Sequence, residues 1–322
     1  MFDLLRRAAV IGGAVALVGA AAARADEISV TQFGSILDGL PDAIAMDKGF
    51  FKKAGVNITG ILTSKGGGTT VRNVLASGLP YGEVSLAAAV SAFNQGYDIR
   101  IVAVTVHTLG DMAWVVPNDS PIKNIKDLVG KKISISSPKS VTDMVSTMIL
   151  DKAGIPLTAI QRPTLGQIGA GLTAMDAGAV QAAWIVEPIY SKVRHKYRIV
   201  VNASDYLPPM VRTVAITTPE FMKKEPAKLR ALLAGRREGV DDIAKNPHDA
   251  EAILAKQWNL EPEIAAAVMA NVRNMNYWST GRIDIPAMNE MVRGLKIIGE
   301  IKDNPDWSKI VDRSFLPADL QN

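Results

Sequence analysis

Hydrophobic and polar positions along the first third of the chain alternate between the period of strands and the period of helices. The predicted strands lie at 28–32, 56–63, 82–86, 99–105 and 112–116. The predicted helices between them lie at 41–53, 71–77 and 87–95. Strands that alternate with helices in this way predict an α/β domain with a largely parallel sheet.

The pattern changes after a break rich in proline and polar residues at 117–121. A second α/β set follows, with predicted helices at 125–130, 140–153 and 167–177 and predicted strands at 132–136, 181–186 and 198–202. From residue 208 the chain reads as one strand, 211–217, and then as helices at 226–244, 248–257, 262–275 and 285–301. These helices must bury their apolar faces, and the first sheet is the simplest host. The sequence therefore predicts a discontinuous first domain, with two neighbouring crossings near 117 and 204 that form a hinge.

Residues 1–25 have the pattern of an export signal. Arg6 and Arg7 precede an Ala- and Gly-rich apolar run, and Ala23-Arg24-Ala25 is a small-x-small cleavage site. A membrane anchor is the alternative, but a confident span needs about 20 apolar residues. We therefore expect cleavage before Asp26, no membrane insertion after cleavage, and a monomer in the periplasm.

Composition narrows the function classes. The chain has no cysteine, which excludes disulfides, thiol catalysis and lipid modification of a cysteine. Its formal net charge is only +4, and it has no run of lysine or arginine. This charge pattern argues against a nucleic-acid partner. The three histidines are scattered and none has a carboxylate at metal-ligand spacing. We expect no metal and no cofactor.

A glycine-rich turn at 65–70 separates the second predicted strand from the next helix. Its glycines let the backbone approach a bound group closely, because no Cβ stands in the way. Thr69 and Thr70 are predicted as N-cap residues of a helix whose first N–H groups have no partner. Gly67, Gly68 and Thr69 thus predict a socket for a carboxylate, sulfonate or phosphate. An ordinary flexible turn with a capped helix is the alternative, since neither the Walker nor the dinucleotide pattern is present.

A serine-rich turn at 134–140 repeats this chemistry in the second half of the chain. Ser136, Ser137, Ser140 and Thr142 supply hydroxyl and N–H donors at a predicted helix start. A polar loop with a plain N-cap is the alternative. The two similar turns, one in each half, favour binding of an anion between them.

Three other side chains each have two interpretations. Arg212 could hold an anionic ligand in a bidentate fork, or could pair with a structural carboxylate. Trp114 and Trp184 could stack on an aromatic ligand, but large apolar residues on strands more often belong to the core.

Several stretches of the chain also follow the motifs of a known family. They are the Phe-Phe-x-x-x-Gly-Val segment at 50–56, the segment 120–133, the Ala-rich segment ending in Glu187-Pro188, and Tyr277-Trp278 with Gly299, Phe315 and Leu316. In order and spacing they resemble the periplasmic solute-binding proteins of the nitrate, sulfonate, taurine and pyrimidine-precursor group. The resemblance covers nearly all of the mature chain.

This resemblance implies a periplasmic binding protein of type II, in which two α/β lobes joined by a two-strand hinge close over one small molecule. Lobe 1 would comprise 26–116 and 208–322, and lobe 2 would comprise 117–207. The partners implied are a small ligand and the membrane permease of an importer of the ATP-binding-cassette (ABC) type. The ligand-binding residues implied, together with those above, are Gln32, Phe33, Gly67, Gly68, Thr69, Ser85, Ser137, Thr142, Glu187 and Arg212. Glu187 could instead brace the hinge.

One departure from the motifs of the group weakens the assignment of a small sulfonate as the ligand. Aliphatic-sulfonate binders often place tryptophan before the acid-Pro pair, and this chain has Val186 there. The main alternative function is an exported α/β hydrolase with a serine nucleophile. That activity lacks support, because the chain has no Gly-x-Ser-x-Gly motif and no His/Asp pattern. A thiamin-precursor synthase, which belongs to the wider kin of the group, would carry a cysteine-rich segment. We therefore expect a binding protein with no catalytic residues.

Overall fold

The computed structural model describes residues 26–138 and 140–321, so the predicted export signal lies outside the described residues. Eight strands form two sheets. They are β1 Asp26–Thr31, β2 Ile58–Ser64, β3 Tyr81–Ser85, β4 Arg100–Val106, β5 Ala113–Pro117, β6 Ala183–Ile185, β7 Tyr197–Asn202 and β8 Thr213–Thr217. The first sheet has the order β2-β1-β3-β8-β4, and the second has the order β6-β5-β7.

Thirteen α-helices are described. They are α1 Leu40–Asp47, α2 Phe50–Ala54, α3 Gly67–Ala76, α4 Leu86–Asn94, α5 Val141–Lys152, α6 Ile168–Asp176, α7 Ile189–Val193, α8 Pro219–Lys224, α9 Pro226–Lys245, α10 Pro247–Trp258, α11 Pro262–Val272, α12 Ile285–Ile297 and α13 Trp307–Ile310. Their alternation with the strands confirms the α/β fold class, and the two sheets belong to two lobes.

The first sheet is only partly parallel. β1 runs parallel to β2 and β3, whereas β8 is antiparallel to both β3 and β4. The reason is that β8 enters the sheet after the chain returns from the second sheet. β1 to β4 therefore all run in one direction, as a largely parallel sheet requires, and β8 is the exception.

One predicted helix is two helices. The segment predicted at 41–53 forms α1 and α2, because Gly49 has a φ of 73° and interrupts the helical backbone. Glycine adopts this left-handed conformation without a steric penalty.

The second sheet is antiparallel within its named strands, with β5 between β6 and β7. Residues 132–136, predicted as a strand, make isolated parallel bridges instead: Lys132 pairs with Gln161, Ile133 with Ala182 and Ile135 with Thr164. α5 packs on this side of the molecule, where Ile149 and Leu150 line a small cavity together with Trp114.

The chain passes between the sheets twice, at residues 107–112 and 203–212. The predicted boundary at 117 lies at the end of β5, and the pairing of that strand favours a crossing before residue 113. The two crossings lie side by side, since the Ala203 N–H donates to the Met112 carbonyl at 2.9 Å and the Arg212 N–H donates to the Val106 carbonyl at 2.9 Å. The lobe boundaries remain a prediction.

The C-terminal helices pack mainly on the first lobe. α9 lies against α1 and α2, and α10 joins α1 in an apolar cluster around Trp258. The indole of Trp258 donates to the Ile36 carbonyl at 3.0 Å. No helix within 26–138 and 140–321 is both long enough and apolar enough to cross a membrane.

Candidate functional site

A cavity of about 520 Å³ lies between the two lobes. Lobe 1 contributes the ends of β1 and β3 with the first turns of α3 and α4, and lobe 2 contributes the segment before α5 and the segment before α6. This volume is in the range of small-molecule sites, which hold roughly 300–1,000 Å³.

The start of α3 forms one wall of the cavity. Gly66 is the N-cap residue in an extended conformation, and Gly67 and Gly68 occupy the first two helical positions. The N-cap prediction at Thr69 and Thr70 was therefore wrong, because the helix begins at Gly67, four residues before the predicted start at 71. N–H groups at these first positions have no carbonyl partner within the helix, so they can donate to a ligand.

Hydroxyl groups beneath the start of α3 hold it against the sheet. The Thr70 hydroxyl is 2.6 Å from the Thr31 hydroxyl of β1 and 2.5 Å from the Ser64 hydroxyl of β2. Thr31 also donates to the Glu83 carbonyl of β3 at 3.2 Å. The helix start is thus fixed to the ends of three neighbouring strands, a rigid support for a binding site.

α4 begins beside α3. Ser85 is its N-cap residue, and the Ser85 hydroxyl accepts from the Ala88 N–H at 3.2 Å. Gly67 allows this proximity, since a Cβ at that position would clash with the Ala88 side chain and lie 3.1 Å from Val84. Two helix N-termini of lobe 1 therefore meet at the cavity.

The start of α5 faces them from lobe 2. Ser140, predicted as the first residue of this helix, is its N-cap residue, and its hydroxyl accepts from the Asp143 N–H at 3.2 Å. The Thr142 hydroxyl accepts from the Ser136 N–H at 2.8 Å and lies 2.9 Å from the Ser136 hydroxyl. This network orders the loop, while Ser137 remains exposed at the cavity.

α6 also begins at the cavity. Its N-cap residue Gln167 and the preceding Gly166 both line the cavity. Sequence reasoning predicted this helix but did not connect it with the site. Four helices of nine to twelve residues therefore direct their N-termini at one cavity, two from each lobe. Each N-terminus carries a partial positive charge.

Gln32 lines the cavity with a left-handed backbone, φ 54°. A non-glycine residue in this region costs on the order of 1–3 kcal/mol and tends to occur at functional sites. The Gln32 N–H donates to the Ser64 carbonyl at 2.8 Å, and its side-chain amide donates to the Lys65 carbonyl at 3.3 Å. These bonds hold the turn after β1 against the glycine turn.

The structure brings seven of the ten predicted ligand-binding residues to the cavity. They are Gln32, Gly67, Gly68, Ser85, Ser137, Thr142 and Arg212. The other three do not line it. Phe33 packs on Trp258 with ring centroids 4.9 Å apart, Thr69 is exposed and accepts from Arg72 at 3.1 Å, and Glu187 is buried in a network of its own.

Arg212 lies at the floor of the cavity with its charge already balanced. Its guanidinium is 2.8 Å from Asp111 and 3.2 Å from Asp38, and it donates to the Tyr277 hydroxyl at 2.8 Å. Thr213 donates to Asp38 at 2.7 Å. All five side chains are buried. The structure therefore supports the structural interpretation of Arg212, which ties both crossings to lobe 1.

Burial shapes the ionisation of this network. Burial raises the pKa of the Asp111 carboxyl, and the nearby Arg212 guanidinium opposes the rise. For Arg212 burial lowers the pKa, but the charges of Asp38 and Asp111 and the hydrogen bond to Tyr277 outweigh it and raise the pKa above its ordinary value. Burial also raises the pKa of Tyr277 well above its usual range. Arg212 is thus held as a cation.

Glu187 links the lobes. Its carboxylate accepts from the Ser191 N–H at 3.2 Å and the Ser191 hydroxyl at 3.1 Å, and from the Asn271 amide of α11 at 2.7 Å. Burial raises the pKa of Glu187, and these hydrogen bonds oppose the rise. Because Asn271 belongs to the helices packed on lobe 1, the geometry supports the bracing interpretation of Glu187.

Two exposed cations flank the start of α3. Lys65 and Arg72 both line the cavity. The acidic lining residues are Asp38, paired with Arg212, and Glu300, which accepts from Ser91 at 3.0 Å. The wall at α3 is therefore the most positive part of the cavity.

The tryptophans differ in position. Trp184 lines the cavity on the same strand face as Val186, whereas Trp114 lies in the lobe 2 core and its indole donates to the Ser134 carbonyl at 3.0 Å. Within 26–138 and 140–321, no group of three or more potential ligating side chains could hold a metal ion.

Comparison with protein families gives one match. The family described as NMT1/THI5 like matches residues 38–250, about two thirds of the chain. The chain belongs to the NMT1/THI5-like family. No curated protein matches it in sequence.

Solved structures share the fold of this NMT1/THI5-like chain at low sequence identity, and they confirm the predicted fold of a type II periplasmic binding protein. The periplasmic aliphatic sulphonate binding protein SsuA from Escherichia coli has a TM-score of 0.74 at 17% identity, over 89% of this chain and 96% of SsuA. The periplasmic nitrate-binding protein NrtA from Synechocystis PCC 6803 has a TM-score of 0.67 at 14% identity, over 91% of this chain and 87% of NrtA.

A desulfurization enzyme, DSZB, has the same fold, with a TM-score of 0.66 at 12% identity over 90% of this chain and 97% of that enzyme. The fold is therefore shared by binding proteins and by at least one enzyme, and it does not by itself decide between these functions.

Proposed function

We propose that this NMT1/THI5-like protein is the ligand-binding component of an ABC import system. In this proposal it loses its leader, works in the periplasm as a monomer, captures a small organic anion between its two lobes, and delivers it to a membrane permease. The observation that carries the proposal is the convergence of four helix N-termini on one interlobe cavity.

The charge of the ligand follows from the cavity wall at α3. Helix N-termini each favour an anion by about 0.3–1 kcal/mol, more when partly buried. Hydrogen bonds to a charged group contribute about 1.5–3 kcal/mol each. Several such contacts from both lobes, with Lys65 and Arg72 nearby, come close to the roughly 8 kcal/mol that micromolar binding requires. Arg212 is not needed as a ligand contact, because two carboxylates already balance its charge.

The size of the ligand follows from the rest of the lining. The cavity is much larger than an inorganic anion such as nitrate needs. Apolar side chains contribute to the walls from both lobes, including Ile36, Val71, Val141, Val186 and Leu295. Burial of an apolar body against these side chains stabilises a complex by about 25 cal/mol per Å². An organic anion would place its charged group at the donors of α3 and its apolar body against these apolar side chains.

Substitution of Gly68 tests the socket. Gly68→Pro removes one N–H from the start of α3, and the position has room, since an added Cβ would meet only Arg72, at 3.7 Å. Gly68→Ala keeps the N–H and is the matched control. Thr69 is a poorer target, because its N–H already donates to the Gly66 carbonyl at 3.0 Å.

The assay is calorimetry with nitrate, methanesulfonate, benzoate, benzenesulfonate and the neutral benzamide. We expect organic anions to bind, Gly68→Pro to weaken binding tenfold or more, which is about 1.4 kcal/mol, and Gly68→Ala to bind nearly as well as the parent. Binding of benzamide alone, or a folded Gly68→Pro protein with unchanged affinity, would refute the anion socket.

An exported hydrolase is the second candidate, in line with the enzyme that shares the fold. Several serines line the cavity, but among the described residues no histidine does so. A serine nucleophile needs a positioned base, so the binding function is favoured. Turnover of ester and amide substrates by the purified protein would reverse this preference.

A further inference from the structure

The helix α12 is anchored in lobe 1 at both of its ends. Before it, the Ser279 N–H donates to the Thr105 carbonyl of β4 at 2.9 Å. After it, the Asp312 N–H donates to the Ile101 carbonyl of β4 at 2.9 Å. The second crossing is also hydrogen-bonded to the first turn of α12, since the Val211 N–H donates to the Ala287 carbonyl at 3.2 Å. α12 therefore moves with lobe 1.

The same helix packs on α5 of lobe 2. The contact centres on Gly294, which faces Met144 and Met148. A Cβ at position 294 would lie 2.5 Å from the Met148 sulfur and 2.6 Å from Met144 Cγ. Carbon atoms in contact are normally about 3.5–4.0 Å apart. The Met144 and Met148 side chains of lobe 2 therefore fill the space that a Cβ at position 294 of lobe 1 would take.

A glycine within a helix needs a compensating reason. Glycine in a helix is less favourable than alanine by roughly 0.5–1 kcal/mol. Gly294 has no left-handed backbone to explain it, since its φ is not among the positive values. The close approach of α5 supplies the reason.

This contact borders the binding cavity. Leu295, next to Gly294, lines the cavity, and so do Val141 and Thr142 at the start of α5. α12 runs from the crossings at its first turn to the cavity at its last turn. A wider separation of α12 and α5 would thus move the donors of lobe 2 away from those of lobe 1.

We propose that Gly294 is a positioning residue that sets the separation of the lobes, with Met144 and Met148 as its counterpart. It acts on the ligand through α5, without touching the ligand. The proposal rests on the proposed function only for its effect on affinity. The effect on lobe separation is measured without any ligand.

The test uses graded substitutions and a rescue. Gly294→Ala and Gly294→Leu add volume at the contact, and Met144→Ala together with Met148→Ala in the Gly294→Ala background restores space, because both methionines would touch the added Cβ. Because the chain has no cysteine, Ala76→Cys on α3 and Ala170→Cys on α6 give a single pair of spin labels across the cleft. Both alanines are exposed. Pulsed electron resonance then measures the distance between the lobes.

We expect a longer mean distance in Gly294→Ala, a still longer one in Gly294→Leu, and a return to the parent distance or less in the triple variant. Benzoate or benzenesulfonate, whichever binds the parent in calorimetry, should bind Gly294→Ala several-fold more weakly, mainly through faster dissociation, and the triple variant should regain affinity. Unchanged distances in folded Gly294→Ala, or a shift that removal of both methionine side chains does not reverse, would overturn the proposal. If distances shift as expected but no anion binds the parent, the anion proposal fails and the role of Gly294 stands.

Discussion

Replacement of Arg212 by methionine tests the buried ion network at the floor of the cavity. Arg212→Met removes the ion pairs to Asp111, at 2.8 Å, and Asp38, at 3.2 Å, and the hydrogen bond to Tyr277. Two carboxylates are then left buried without a cation. Breaking a buried ion pair by removal of one partner typically costs about 3–5 kcal/mol. We expect a loss of that size in the free energy of unfolding at neutral pH.

The pH dependence of this loss has a definite sign. The pKa of Asp111 in the folded protein is already raised by burial, and it rises further without Arg212. An acid with a raised folded-state pKa destabilises the fold above that pKa, and the penalty disappears as the pH falls through it. The loss in Arg212→Met should therefore shrink towards acid pH.

Urea denaturation followed by circular dichroism from pH 7.5 down to pH 4.5 measures both effects. Asp111→Asn is the matched control. It leaves one carboxylate opposite one guanidinium, so it should cost much less than Arg212→Met. A loss below about 1 kcal/mol in Arg212→Met, or a loss that grows as the pH falls, would refute the assignment of a buried ion network in which Arg212 neutralises the carboxylates.

Two further predictions concern groups near the crossings. Asn271→Ala removes the interlobe hydrogen bond to Glu187 at 2.7 Å. We therefore expect the free energy of unfolding in urea to fall by roughly 1.5–3 kcal/mol. The substitution His248→Gln at an exposed position is the control, and an equally small effect of Asn271→Ala would contradict the prediction. Burial lowers the pKa of His107 in the folded protein. The unfolded chain therefore binds a proton at this residue more readily than the folded protein does. As a result the free energy of unfolding decreases as the pH falls below the ordinary histidine pKa of about 6.5. His107→Gln should lose less stability than the parent between pH 7.5 and 5, and parallel urea midpoints in the two proteins would show that His107 does not contribute.

Local features of the fold could be predicted from the sequence. β1 and α5 follow directly from residue period, and the start of α5 was predicted to within one residue at Ser140. These features depend on interactions between residues close in sequence. The start of α3 was misplaced because it depends on Gly67 packing against Ala88, twenty-one positions away.

The sequence predicted the parts of the site that depend on backbone N–H groups at helix starts. It predicted less well the side chains whose partners lie far away in the sequence. Phe33 turns away from the cavity because it packs on Trp258. Glu187 is committed to Asn271 of a C-terminal helix. Arg212 meets carboxylates from two other segments. No pattern within these segments encodes such pairings, so only the tertiary structure shows them.

Small-angle X-ray scattering tests the central claim, capture of a small anion between two lobes, most directly. The radius of gyration is measured for the protein alone and at saturation with the anion that binds most tightly in calorimetry. Closure around a ligand brings the lobes together about the two crossings, so the account predicts a smaller radius of gyration in the complex. An unchanged or larger radius at saturation would contradict it.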